Sequence, residues 1–242
     1  MELIHDHLVA LYGEALGNAT LAELRARLFP ASETQREPRV SAGERAALSA
    51  RDALLITYGD QLRAADRAPL RTLAEFCDQH LRGVVSGVHL LPFYPHSSDD
   101  GFSVVDYRQV NPALGTWDDV AHLGRHFRLM FDGVINHISA QSAWFRAFLR
   151  DEAKYRDYFV VVRDAPDLSQ VVRPRALPLL TEFTTPSGVN KVWTTFSADQ
   201  IDLNYANPAV LLDIVDVLLF YVAHGAEFIG LEIGRASCRE RV

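Results

Sequence analysis

The sequence predicts an α/β protein built on a parallel sheet, and three observations lead there. Short apolar runs rich in strand formers recur along the chain, helical patterns separate them, and the polar residues best suited to chemistry fall just past the ends of those runs. Repeated β-α units of this kind imply right-handed crossovers, with helices covering the sheet. The pattern alone fits an open sheet and a closed barrel equally.

Residues 1–51 read as a helical N-terminal extension. Ile4, Leu8 and Leu11 recur at helical spacing, and Thr20–Glu23 and Ser41–Glu44 have the form of capping boxes. Between them, Phe29–Pro38 is polar and flanked by proline, as suits a connecting loop. His5 and His7 flank Asp6, but two positions apart on a helix they point to different sides, so no metal site is expected there.

The first strand is expected at Ala53–Tyr58, too short and too β-rich for a helix. A helix from Pro69 to Leu81 follows, with proline in the first turn where no hydrogen bond is lost. Gly87–Phe93 makes the second strand. Thr116 caps a helix whose first turn is acidic, and Phe127–Ile135 supplies the third strand. The segment Ile138–Ala206 is too long for an ordinary loop and is expected to form a small inserted domain. Asn207 and Pro208 open an apolar helix that ends at His224-Gly225, and Ala226–Leu231 is the fourth strand.

Composition excludes several function classes. With 48% hydrophobic and 23% charged residues the chain is of ordinary globular type, so disordered and fibrous classes fall away. A formal charge of −7 without a basic stripe argues against nucleic acid as a partner. Cys77 and Cys238 are too far apart in sequence to suggest a disulfide framework or a paired-cysteine metal site, which fits a reducing, cytoplasmic location. Glu2, His5, Asp6 and His7 interrupt the N-terminus, so neither a signal peptide nor a membrane span is expected.

Two clusters follow the strand ends. Pro95–Tyr107, containing Asp99-Asp100-Gly101, follows the second strand, and Asp132-Gly-Val-Ile-Asn136-His137 closes the third. Taken alone, an Asp-Asp-Gly is equally a solvated turn, while a polar pair that closes an apolar strand is placed at the mouth of a parallel β/α fold. In combination, Asp132-x-x-x-Asn136-His137, Gly101-Phe-Ser-Val-Val-Asp-Tyr107 and Gln200-Ile-Asp-Leu-Asn204 resemble the α-amylase superfamily of glycoside hydrolases. Ile56–Leu62, Val88–Pro95, Arg173–Pro178 and Trp193–Ser197 are similar to its sucrose phosphorylase branch, over about residues 52–231. The finer resemblance is to branch members whose acceptor is glycerate rather than fructose.

The resemblance implies the N-terminal part of a TIM (β/α)8 barrel, strands 1–4, with a small inserted domain after strand 3 and the helical extension in front. It divides the chain into 1–51, barrel 52–137, inserted domain 138–206, barrel helix and strand 207–231, and a tail 232–242. It implies a glucose pocket in which Asp99 and His137 hydrogen-bond sugar hydroxyls, Phe102 and Phe196 offer apolar contact, and Gln200 stands nearby. A neutral sugar needs such paired donors and acceptors and a flat apolar surface; for the two aromatics, plain core packing is the competing account. Arg175, or Arg173 in its place, would meet phosphate or the acceptor as a two-pronged donor, against a solvated loop arginine as the plain alternative.

The implied reaction is a retaining transfer of glucose from an α-glucoside to inorganic phosphate, giving α-glucose 1-phosphate, with no metal and no cofactor. A sucrose phosphorylase, an α-glucoside hydrolase of the same fold and a non-catalytic sugar-binding fragment are the competing readings.

The fourth strand departs from the pattern. Gly230 stands where the family has arginine, and Glu232 where it has the nucleophilic aspartate. The residues from Glu232 to Val242 have no apolar face and read as a translated adapter rather than natural protein. Without the later strands and their acid/base the fragment is expected to be inactive. A half barrel with bare edges is also expected to aggregate or pack loosely.

Overall fold

The computed structural model describes residues 2–29, 48–164, 167, 168, 171 and 177–232. The predicted loop after Phe29, the Ser41–Glu44 cap and the tail beyond Glu232 lie outside the described residues.

Two helices open the chain, α1 (Glu2–Tyr12) and α2 (Glu14–Leu28), separated at Gly13 with φ of 80°. The helix start expected at Thr20 lies instead inside α2. The left-handed Gly13 sets the break seven residues earlier, and the Thr20 hydroxyl donates to the carbonyl of Leu16 at 2.7 Å rather than capping anything. The hairpin docks through Leu8, Leu21 and Leu24 onto Leu212 of a later helix, and the Tyr12 hydroxyl donates to the carbonyl of Tyr205 at 2.9 Å.

The sheet comprises β1 (Leu54–Thr57), β2 (Gly87–Leu90), β3 (Arg128–Val134) and β9 (Ala226–Glu232), all parallel, in the order β1-β2-β3-β9. The second strand ends at Leu90 rather than Phe93. Pro92 has no N–H to offer the ladder, though Leu91 still donates to the carbonyl of Thr57 at 3.0 Å.

Helices α3 (Pro69–His80), α4 (Trp117–Leu123) and α6 (Pro208–Ala223) form where their end signals predict. The Thr116 N–H donates to Asp119 Oδ2 at 2.9 Å, and Asn207 Oδ1 accepts from the Ala209 N–H at 3.0 Å. Gly225, with φ of 98°, turns the chain from α6 into β9. Leu70, Leu73, Val88, Leu90, Phe131 and Val217 close the core between sheet and helices.

The segment between β3 and α6 carries two further sheets. One pairs β4 (His137–Ser139) antiparallel with β8 (Gln200–Asp202). The other joins β5 (Val161–Val162), β6 (Leu180–Thr185) and β7 (Gly188–Trp193) in the order β5-β7-β6, with α5 (Ala143–Leu149) against it.

Among the described residues no strand pairs with the outer edge of β1 or of β9. Ile56 on β1 is 63% exposed and Leu231 on β9 is 47% exposed, so each bare ladder carries an apolar side chain, the arrangement that recruits another strand. Ile56→Lys combined with Leu231→Lys is therefore expected to move the chain from oligomers towards monomer on size-exclusion chromatography with light scattering. A wild-type chain that already elutes as a monomer at high concentration would show that the edges do not associate.

Candidate active site

The parallel sheet and the β4–β8 pair meet where β3 ends. β3 stops at Val134, the chain turns through Ile135 and Asn136, and β4 begins at His137. Pairing sets His137 opposite Asp202 and Ser139 opposite Gln200. All four are buried, and the period of two puts them on one face of the pair.

The loop after β2 supplies the other wall. Asp99 and Asp100 both lie in the left-handed region, at φ of 57° and 50°, and Gly101 follows at 105°. Only glycine fits at position 101, because a Cβ there would come 2.7 Å from the carbonyl oxygen of Pro92. The turn is closed by the Phe102 N–H donating to the carbonyl of Asp99 at 2.9 Å and by the Ser97 N–H donating to that of Ser103 at 3.0 Å.

This backbone brings five of the predicted site residues together. Gln200 Nε2 donates to Asp99 Oδ2 at 2.8 Å, and His137 Nε2 lies 2.8 Å from the carbonyl oxygen of Phe102. The Phe196 ring is 5.0 Å from that of His137 at an interplanar angle of 56°. A carbonyl can only accept, so His137 carries its hydrogen on Nε2, leaving Nδ1 to accept from Asn136 Nδ2 at 3.4 Å. Gln200 Nε2, 3.2 Å from His137 Nε2, is then a close neighbour rather than a donor to it. The Ser197 hydroxyl donates to Gln200 Oε1 at 2.9 Å and fixes which way the amide faces.

Arg173 and Arg175 lie outside the described residues. Glu232 ends β9, with its backbone paired to Val134, and its side chain lies outside the described set. Among the described residues no group of three or more His, Cys, Asp or Glu side chains is arranged to hold a metal ion. No helix there is long and apolar enough to cross a membrane.

The structure adds residues that were not singled out as site candidates from sequence. His89 Nε2 lies 3.1 Å from Asp132 Oδ1, linking β2 to β3 beneath the loop. The Tyr58 hydroxyl, just past β1, is pushed up by burial and then by the negative charges of Asp100, Asp132 and Asp99. A polar residue inside an apolar strand signals His89, and Tyr58 has the same strand-end placement that marks His137.

Two carboxylates flank Gln200. Burial would raise Asp199, but the hydroxyls of Ser97, Ser98, Ser103 and Ser139 outweigh it and hold the carboxyl below its ordinary value. For Asp202 burial wins. Despite the hydroxyl and N–H of Thr195, the carboxyl is pushed up to about 7.

The family model of the alpha-amylase catalytic domain matches residues 81–235, well over half of the chain. The chain belongs to the alpha-amylase family. Among its relatives, a glucosylglycerate phosphorylase of Allomeiothermus silvanus is 53% identical over 231 residues, covering 95% of this chain and 40% of that protein. A sucrose phosphorylase of Streptococcus mutans is 34% identical, covering 74% of this chain and 39% of that protein. The crystal structure of sucrose 6F-phosphate phosphorylase from Thermoanaerobacter thermosaccharolyticum superposes with a TM-score of 0.71 at 27% identity, over 79% of this chain and 41% of that one. The chain thus spans about two fifths of the length of these alpha-amylase family relatives, and its parallel sheet is part of a TIM barrel.

The raised Asp202 carboxyl has a signed consequence. Its folded value lies above the unfolded one of about 4, so the stability it contributes is fully present below about pH 4 and is lost as pH rises through about 7. Asp202→Asn is expected to flatten that part of the stability–pH curve between pH 4 and 7, read by thermal unfolding. Trp193, whose Nε1–H donates to Thr195 Oγ1 at 2.9 Å, should report the titration by fluorescence. Equal slopes in wild type and variant would show that Asp202 titrates low.

Proposed function

We propose that the chain is the N-terminal part of an α-glucoside phosphorylase that transfers glucose from glucosylglycerate to inorganic phosphate with retention, yielding α-glucose 1-phosphate. The observation that carries this reading is the convergence of Asp99, Phe102, His137, Phe196 and Gln200 at one place beside the end of β3. The 53% identity to a glucosylglycerate phosphorylase, against 34% to a sucrose phosphorylase, favours glycerate over fructose as the other half of the substrate.

In this reading Asp99 hydrogen-bonds the glucose hydroxyls, His137 shares its Nε2–H between the Phe102 carbonyl and a hydroxyl, and Phe102 and Phe196 take up the C–H face of the ring. Gln200 holds the Asp99 carboxylate in place. Arg175, or Arg173, meets phosphate or the acceptor with its paired N–H donors. A carboxylate at the end of β9 attacks the anomeric carbon, an acid from beyond this chain protonates the leaving oxygen, and phosphate then displaces the enzyme carboxylate. The division into residues 1–51, 52–137, 138–206 and 207–231 is part of the same proposal, as is a cytoplasmic location.

The end of β9 favours a second reading for this chain as it stands, sugar binding without turnover. Glu232 displaces the carboxylate by roughly 1 Å relative to aspartate, an error that costs on the order of a hundredfold in rate. Gly230 supplies no guanidinium.

The test is a chain extended through the remaining strands of its gene, incubated with phosphate and either glucosylglycerate or sucrose. Phosphate-dependent release of α-glucose 1-phosphate from glucosylglycerate is the expected outcome, with the present chain giving none. Release of free glucose that ignores phosphate would make the protein a hydrolase. Equal turnover of sucrose would remove the glycerate assignment.

A further inference from the structure

We propose that Asp199 is a positioning residue for the site, a single carboxylate that holds Asp99 and the Phe102 carbonyl against Gln200 and His137. The inference deepens the sugar-site reading above and rests on it.

Asp99, Asp100 and Gly101 form a turn of three successive positive-φ residues, two of them not glycine. The left-handed region is one that a non-glycine residue adopts uncommonly, and two in succession persist only where their surroundings hold them. The local backbone bonds close the turn on itself, and the Ser139 N–H, donating to the carbonyl of Val104 at 2.9 Å, ties only the chain that follows the turn to β4.

Asp199 reaches both sides of the turn. The Ser97 and Ser98 hydroxyls, just before the turn, each donate to Asp199 Oδ2 at 2.5 Å, and the Ser103 hydroxyl, just after it, donates to the same oxygen at 2.8 Å. The Ser139 hydroxyl on β4 lies 3.4 Å from Oδ1 and 2.6 Å from the Ser97 hydroxyl. The Asp199 carbonyl accepts from the Ala140 N–H at 2.9 Å. One residue therefore ties both ends of the Asp99–Phe102 turn to β4 and to the first residue of β8, which is Gln200.

The consequence falls on two atoms. Asp99 Oδ2 is set where Gln200 Nε2 reaches it, and the Phe102 carbonyl is set where it fixes the hydrogen of His137 on Nε2. Hydrogen bonds to an ionised acceptor are shorter and stronger than neutral ones, which suits a carboxylate to holding a strained turn. A neutral side chain at position 199 would give the serines weaker acceptors and let the turn relax.

The test compares wild type with Asp199→Ala and with the milder Ser98→Ala, which removes one hydroxyl and leaves the core untouched. Amide exchange read by mass spectrometry should quicken tenfold or more across residues 97–103 in Asp199→Ala, and less in Ser98→Ala, with β2 and β3 within twofold of wild type. The ring 15N shifts of His137 should move from a single Nε2–H form towards a mixture of tautomers. Unchanged exchange in 97–103, a rise shared equally by β2 and β3, or an unaltered His137 tautomer overturns the proposal. Saturation-transfer NMR with methyl α-D-glucoside on wild type and Gln200→Ala tests the sugar reading separately. No sugar signal from wild type sinks that reading alone, and the exchange and ring-nitrogen results still decide Asp199.

Discussion

The antiparallel pairing of His137–Ser139 with Gln200–Asp202 is the constraint on which the candidate site depends. It joins the end of a barrel strand to residues some sixty positions later in the chain. Three residues a side is a short ladder, and two further sets of bonds hold it. The Ser139 N–H donates to the carbonyl of Val104, and the Leu203 N–H donates to that of Asn136 at 3.0 Å. The Tyr107 hydroxyl lies within bonding distance of the carbonyls of both Val134 and His137, so the crossing from β3 into β4 has a fixed angle. With the pair set, Gln200 and His137 are neighbours whatever the rest of the inserted segment does.

Charge placement follows from the same pair. Asp199 and Asp202 stand one residue before and two after Gln200, yet their carboxyls are displaced in opposite directions. The difference lies in donors. Asp199 faces four serine hydroxyls and keeps partial access to water, while Asp202 is fully buried with Thr195 as its side-chain donor among the described residues. Asp199 therefore holds the loop with full charge. Asp202, its carboxyl pushed up to about 7, holds the N–H and the hydroxyl of Thr195, the residue beside Phe196.

Much of this was legible in the sequence, and particular residues show why. The caps at Thr116 and Asn207 and the glycine at 225 are local chemistry, and the helices form where they point. The four parallel strands were visible as apolar runs, the second overrun where Pro92 removes a donor, while the five short strands between β3 and α6 carry too little apolar pattern to stand out and were not predicted. Thr20 misled because its capping pattern competes with a left-handed Gly13 upstream, and a hydroxyl can be satisfied inside a helix by the carbonyl four residues back. Asp99, Phe102, His137, Phe196 and Gln200 stood out through the resemblance of their motifs, and the structure brings the five together. Asp199 and its serines did not stand out, because Ser97, Ser98 and Ser103 look like a solvated turn until a distant carboxylate is folded onto them.

The departure at Gly230 can be weighed by what surrounds it. Its backbone is ordinary extended strand within β9, not one of the left-handed positions that demand glycine. A Cβ built there would meet the Met130 methyl at 2.9 Å and Asp132 Oδ1 at 3.2 Å, with His89 Nε2 at 3.9 Å. The nearest of these is the far end of a flexible side chain, which can swing aside. The next two are the bonded pair Asp132 and His89, and a guanidinium entering from Gly230 would start beside a carboxylate suited to accept from it. A side chain at this position therefore enters only if Met130 swings aside and Asp132 gives by a few tenths of an ångström, with Asp132 then an electrostatic reason for the arginine that the family resemblance expects. Backbone geometry does not call for the glycine, and the packing against it rests on the movable end of Met130 and on a carboxylate that an arginine would itself attract.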